Sequence, residues 1–259
     1  MSQLILVVED NPINQKVTIG LLHGAGYATD LAVDGLEAIL AYRRKTYDLV
    51  VMDCQMPRCD GWEATKAIRR LEASTGRRVP IIALTAQALA GDREKCLTSG
   101  MDDYLTKPVD GELFITAVHS RLGHNPAQVG APAPGTPAVA QDLPLIDQAV
   151  VKNLLQYGAD TVTEVFTLLL KDMPGLRDRL EQAIAEANPA EVAKIAHRLK
   201  GGCGTAGVAA LARVMDHLER QAKAGDSSAL ALAWPGIEVL IDQTITAIRT
   251  LVEGKGVAP

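Results

Sequence analysis

Three short aliphatic runs in the N-terminal half stop at residues that could do chemistry. Leu4–Val8 is followed by Glu9-Asp10, Leu49–Asp53 ends on an acid, and Ile81–Thr85 ends on a hydroxyl. A fourth run, Asp103–Leu105, is followed closely by Lys107-Pro108. Three carboxylates brought together repel one another unless a cation sits among them, and a set of hard oxygen donors with room for water suits Mg2+. A phosphoryl group entering such a site would have its charge neutralised by the metal and Lys107, while Thr85 could donate a hydrogen bond to it. Phosphoryl transfer needs positioning and charge stabilisation above all, and this set offers both. One of the carboxylates would then be the nucleophile, forming an acyl phosphate.

The C-terminal half has one segment of comparable interest, Ala196–Gly207, where His197 and Lys200 precede glycines at 201, 202, 204 and 207. Each glycine inside a helix costs about 1 kcal/mol relative to alanine, so something must offset that cost. His197, Lys200 and Gly201 are three and four residues apart and share one helix face. Val192, Ile195, Ala196 and Leu199 form the core stripe, which leaves His197 at its border. Gly201 clears steric space beside the imidazole, and Lys200 places a positive charge where a phosphoryl group would sit. His217, His119, His23 and His124 have no such neighbours.

These residues need elements to hold them. In the first half, the strand-like runs Leu4–Val8, Tyr27–Ala32, Leu49–Asp53, Ile81–Thr85 and Asp103–Leu105 alternate with helical patterns over Asn14–His23, Gly35–Arg44, Trp62–Glu72, Asp92–Ser99 and Asp110–Arg121. This alternation predicts an α/β, doubly wound, five-stranded parallel sheet with helices on both faces. The first, third and fourth runs are continuously apolar, as central strands are. Ligands of such sheets sit at the carboxyl edge, which is where the acids, Thr85 and Lys107 fall.

Residues 124–143 are rich in Pro, Ala and Gly and nearly uncharged, which predicts a semi-extended linker. Beyond it the pattern is all-helical, with stretches near 147–156, 160–186, 207–224 and 228–252 and a further helix opened by Asn188-Pro189-Ala190-Glu191. There Asn188 can cap, Pro189 suits the first helical position and Glu191 completes a capping box. Pro174 is expected to kink or interrupt its helix. The whole predicts an all-α four-helix-bundle domain with a short leading helix.

Composition narrows the function classes. The chain has 259 residues, 3% aromatics and a net charge of −5, so its cores are aliphatic and it has no electrostatic reason to bind nucleic acid. Cys54, Cys59, Cys96 and Cys203 match no zinc spacing and read as reduced thiols of a cytoplasmic protein. No signal peptide precedes the first strand, and no apolar run is long enough to cross a membrane.

Residues 1–123 resemble a response-regulator receiver domain over its whole length. The resemblance rests on Glu9-Asp10, the stretch Asp53-Cys54-Gln55-Met56-Pro57-Arg58-Cys59-Asp60-Gly61, Thr85-Ala86 and Lys107-Pro108, in order and correctly spaced. It implies that Asp53 is phosphorylated. It implies Mg2+ (or Mn2+) held by Asp10 directly, by Glu9 through water, by Asp53 and by the backbone carbonyl of Gln55. Thr85 and the aromatic Tyr104 would act as the switch pair, and the bond before Pro108 would be cis. Gln55 and Gln87 would flank the water that hydrolyses the acyl phosphate, giving it an intermediate lifetime. Met56-Pro57 and Asp60-Gly61 read as loop and helix-start residues.

Residues 144–254 resemble a histidine phosphotransfer (HPt) domain, through His197, Lys200, Gly201 and Gly207, although Gly202-Cys203 departs from the Ser or Ala common after Lys-Gly. The resemblance implies that His197 is phosphorylated on a ring nitrogen by exchange with a receiver aspartate. The chain shows no ATP-binding motif of a kinase and no output domain. Together these features imply a phosphorelay protein of a two-component system. Its partners would be an upstream sensor histidine kinase and a downstream response-regulator receiver, with the arrangement found at the C-terminus of hybrid sensor kinases. The alternative is a non-catalytic adaptor, which the intact set of Asp10, Asp53, Thr85 and Lys107 disfavours.

Overall fold

The computed structural model describes residues 3–73, 76–85, 90–123, 144–155, 158–225 and 227–253. The segment 124–143, read above as a linker, lies outside the described residues, as do Ala86 and Gln87. The chain divides into two compact units, residues 1–139 and 140–259.

In the first unit, strands β1 (Leu4–Val8), β2 (Ala28–Ala32), β3 (Leu49–Asp53), β4 (Ile81–Thr85) and β5 (Asp103–Thr106) alternate with helices α1 (Pro12–Gly24), α2 (Gly35–Arg44), α3 (Gly61–Glu72), α4 (Ala90–Ser99) and α5 (Gly111–Arg121). The sheet order is β2-β1-β3-β4-β5 and every pairing is parallel. The strands β3 and β4 are buried along their whole length, and β1 from its second residue, because helices cover both faces. The chain leaves β1 in one direction for β2 and later returns to its other side for β3. That reversal opens a crevice beyond the carboxyl ends of β1 and β3, and Glu9-Asp10 and Asp53 stand there.

Local caps start the helices around this edge. Asn11 accepts from the Ile13 backbone N–H at 3.0 Å and opens α1 two residues earlier than the Asn14 read from the sequence. Asp60 accepts from Glu63 N–H at 2.8 Å and opens α3, the helix-start role expected of Asp60-Gly61. Gly61 is required here: a Cβ would collide with the Asp53 carbonyl oxygen and stand 3.0 Å from its carbonyl carbon. The helix therefore begins against the backbone of Asp53, which fixes the height of that carboxylate.

The second unit consists of α6 (Gln148–Leu155), α7 (Ala159–Ala185), α8 (Pro189–Thr205), α9 (Ala209–Ala224) and α10 (Ser227–Glu253), a short leading helix and four long ones. Asn188 accepts from Glu191 N–H at 3.2 Å, as its capping box requires. Of the kink or interruption expected at Pro174, the interruption does not occur: α7 runs through it. Pro174 lies on the solvent side, where water can satisfy the carbonyl it frees, while Leu169, Met173, Leu176 and Leu180 hold the opposite side in the core. The glycine run likewise stays helical to Thr205, because Leu199, Gly202 and Cys203 are buried and packing offsets its poor propensity. The chain then turns at Gly207, whose φ of +76° and approach to Val150, 2.9 Å from a Cβ at that position, demand glycine.

Candidate functional site

At the edge of the sheet, carboxylate oxygens of Glu9, Asp10 and Asp53 lie within 4.8 Å of one another. Glu9 is 1% exposed and Asp53 3%. Lys107 reaches between them from beyond β5: its ammonium donates to Glu9 Oε2 at 2.5 Å and lies 2.8 Å from Asp53 Oδ2. The Lys107-Pro108 bond is cis, as the resemblance implied. Thr85 ends β4 at 2% exposure. The structure thus gathers Glu9, Asp10, Asp53 and Lys107 and ends a neighbouring strand with Thr85.

Burial, then the charge of Glu9, pushes the Asp53 carboxyl above the usual carboxylate range, against the pull of Lys107. Lys107 is desolvated too, but the charges of Asp53 and Glu9 outweigh this and hold its ammonium protonated. The pocket remains short of positive charge even with Lys107 inserted, so its hard oxygen set fits a divalent cation of the Mg2+ type.

The sequence reading missed the residues that hold Glu9. Its Oε1 accepts from Asn14 Nδ2 at 3.0 Å and from Asn11 N–H at 3.2 Å, and Gln15 Nε2 donates to its backbone oxygen at 2.7 Å. With Lys107 on Oε2, Glu9 is a heavily engaged acid behind the other two. Asn14 is a polar residue buried beside Ile13 and Val17, and a polar residue bordering an apolar stripe was the available signal.

Past Asp53 the loop folds back, and Gln55 N–H donates to Asp53 Oδ1 at 3.2 Å. Arg58 takes a φ of +68°, and its guanidinium pairs with Asp34, the buried cap of α2. Tyr104 is half-buried on β5, with the Arg93 guanidinium 6.0 Å from its ring centroid. Cys54 and Cys96 touch, Sγ to Sγ 3.7 Å, and all four cysteines are buried free thiols.

In the second unit His197 stands on α8 with 27% of its side chain exposed, at the border of the core stripe. Its Nδ1 lies 3.0 Å from Glu219 Oε1 on α9. Glu219 is 3% exposed and also receives Lys223 on Oε1 at 2.6 Å, with the Lys200 ammonium 2.6 Å from Oε2. Lys200 further contacts Asp216 at 3.4 Å. Lys200, read from the sequence as a positive charge beside the imidazole, is thus engaged with two carboxylates. Burial works against the Glu219 charge, but hydrogen bonds from His197, Lys200 and Lys223 outweigh it and hold the carboxyl well below the usual range.

Glu219 was also missed. It follows Met215 by four residues and Leu218 by one, so it is an acid on the buried face of α9, and such a residue must have partners.

Both units match known families. The family model of the response regulator receiver domain matches residues 5–119, and that of the Hpt domain matches residues 164–251. The signal transduction histidine-protein kinase BarA of Shigella flexneri is 30% identical over 229 residues, covering 87% of this chain and 24% of that protein. The sensor histidine kinase GacS of Pseudomonas protegens is 35% identical over 230 residues, covering 88% of this chain and 25% of that protein. The chain thus spans about a quarter of the length of these relatives. A solved structure, the receiver domain of the sensor histidine kinase PA1611 from Pseudomonas aeruginosa PAO1, is 48% identical, covers 48% of this chain and 99% of its own, and has a TM-score of 0.44. Among the described residues no helix is long and apolar enough to cross a membrane. The chain belongs to the two-component phosphorelay proteins, as a response regulator receiver domain followed by an Hpt domain.

Proposed function

We propose that the chain relays phosphoryl groups: Asp53 accepts one from the phosphohistidine of an upstream sensor kinase, and His197 exchanges it with receiver aspartates. The observation that carries this reading is the pocket in which Glu9, Asp10, Asp53 and Lys107 converge on one buried edge. Asp53 is the acceptor because its carboxylate lies at the strand end with Lys107 beside it, and Thr85 ends the neighbouring strand to meet a phosphoryl oxygen. Asp10, Asp53 and the Gln55 carbonyl would hold Mg2+, with Glu9, committed to Asn14 and Lys107, acting through water. Bound there, the ion lowers the charge barrier to an incoming phosphoryl group.

Tyr104 and Thr85 form the switch, the Pro-rich segment 124–143 tethers residues 1–123 to 144–254, and Gly201 leaves room beside the imidazole. Tethering raises the effective concentration of one acceptor around the other. The setting is the cytoplasm, and the partners are a histidine kinase and a second receiver.

The test is intact mass after incubation with acetyl phosphate and Mg2+. The native chain is expected to gain the mass of one phosphoryl group, and Asp53→Asn to gain none on residues 1–123. A native chain left unmodified, like the variant, contradicts the reading.

A further inference from the structure

Between α9 and α10 lies an open cavity of about 420 Å3, a size that ligand pockets commonly have. Val214, Leu218, Ala233 and Ile237 give it an apolar lining. Arg213, His217 and Arg220 also line it, at spacings of four and three residues, so they form one basic stripe along α9. No carboxylate lines the cavity among the described residues.

The polar groups here lack what they need. Arg177, Arg179, Arg198 and Arg220 each pair with a carboxylate. The Arg213 guanidinium and the His217 ring meet no such partner among the described residues. Gln221 lines the cavity as well, and its amide oxygen is buried with no hydrogen-bond partner. An amide oxygen left unpaired is costly, and a turn of the terminal amide toward a donor in the cavity would relieve it. On α10, Leu232 is 85% exposed and adds apolar surface to the helical turn that carries Ala233.

We propose that this groove docks a short acidic segment of a partner protein, with an apolar side chain set between carboxylates. The apolar side chain fills the lining, and the carboxylates meet Arg213 and Arg220, whose forked guanidinium takes two oxygens at once. A main-chain N–H of the segment supplies the donor for Gln221. An inorganic anion offers charge but neither the donor nor the apolar group. An anionic membrane is flat on this scale and would meet the stripe without filling the groove. Glu219, which faces His197, is two residues from both His217 and Gln221 and so lies on another side of α9. The groove therefore holds a partner on the bundle without covering His197, and a partner held there meets its acceptor at raised effective concentration. Binding in the groove does not depend on the phosphorelay reading.

The test is fluorescence anisotropy of a labelled, acetylated peptide, Asp-Glu-Leu-Leu-Glu-Asp, titrated with the full chain. Saturable one-to-one binding is expected. Arg213→Glu, an exposed change that breaks no contact, is expected to weaken it on the order of 10-fold or more, by setting an acid against the carboxylates. A peptide with Ser in place of both Leu should lose a similar factor, because the apolar lining stays unfilled. Ala233→Trp, which fills the cavity, should abolish binding. Labelling of His197 by a phosphoramidate donor should proceed as before with the peptide bound. Absence of saturable binding overturns the proposal, as does equal binding of the Ser peptide or by Arg213→Glu. If Ala233→Trp fails to fold, those two comparisons decide. A bound peptide that blocks His197 labelling places the site at the imidazole and overturns the proposal. Adsorption to phosphatidylglycerol vesicles, lost in Arg213→Glu and with no peptide bound, assigns the stripe to a membrane and overturns it too.

Discussion

The two proposed phosphoryl sites face opposite electrostatic problems with the same kinds of side chain. In the sheet pocket the acceptor is itself a buried carboxylate, flanked by Glu9 and Asp10 and offset by the Lys107 ammonium. In the bundle the acceptor is an imidazole, and the buried carboxylate, Glu219, is its counter-charge, with Lys200 and Lys223 on it. The first site therefore lacks positive charge and the second does not. An oxygen acceptor among acids asks for a divalent ion, whereas a nitrogen acceptor opposite a carboxylate can work without one.

That contrast is sharpest under metal removal. Chelation of Mg2+ is expected to slow labelling of Asp53 by acetyl phosphate on the order of 100-fold or more, the scale of losing a major electrostatic stabiliser. Labelling of His197 by a phosphoramidate donor in the Asp53→Asn chain should persist in chelator. Equal sensitivity at both sites, read by intact mass, would erase the distinction.

The next largest effect is steric and confined to the first unit. Gly61→Ala puts a methyl group against the Asp53 carbonyl and is expected to cost about 1–3 kcal/mol of receiver stability. Denaturant unfolding followed by Trp62 fluorescence checks this, and the bundle should unfold as before.

Acid separates the sites in the other direction. Glu219 is held below the ordinary glutamate range, so its contribution to bundle stability is complete above that range and is lost as pH falls through it. Protection of the α8 and α9 amides, taken relative to the intrinsic exchange rate at each pH, should begin to fall in the native chain as pH drops below about 4.3, the free glutamate value. In Glu219→Gln it should depend more weakly on pH.

The smallest expected effect is on the lifetime of the acyl phosphate. Gln55, whose N–H bonds Asp53, is exchanged for alanine, and the dephosphorylation rate is expected to change by a few-fold at most, with His197 labelling unaffected. A rate identical to the native one removes Gln55 from the hydrolysis step.

Most of the first site was legible because a parallel sheet projects its chemistry at strand ends. Unbroken apolar runs give β1, β3 and β4, so the residues that close or follow those runs name the edge. The acids and Thr85 come from these runs, whereas Lys107 follows β5, a short mixed strand placed by the alternation of strands and helices. What escaped was the support behind them, Asn14 and Asn11 on Glu9, because short polar residues near a helix start read equally well as caps. The bundle was less legible. His197 announces itself through its glycines, but its partner lies 22 residues on, in another helix, and helix periodicity fixes faces and not which faces meet. Pro174 does not interrupt α7 for a related reason: a proline on the solvent side frees a carbonyl that water can serve.

The central claim is that phosphoryl reaches His197 by way of Asp53. Timed radiolabel transfer from a phosphorylated histidine kinase domain to the native chain, Asp53→Asn and His197→Gln tests it most directly. The account predicts label first on Asp53 and then on His197 in the native chain, label stopping on Asp53 in His197→Gln, and none on either residue in Asp53→Asn. Label on His197 of the Asp53→Asn chain, at the native rate, would contradict it.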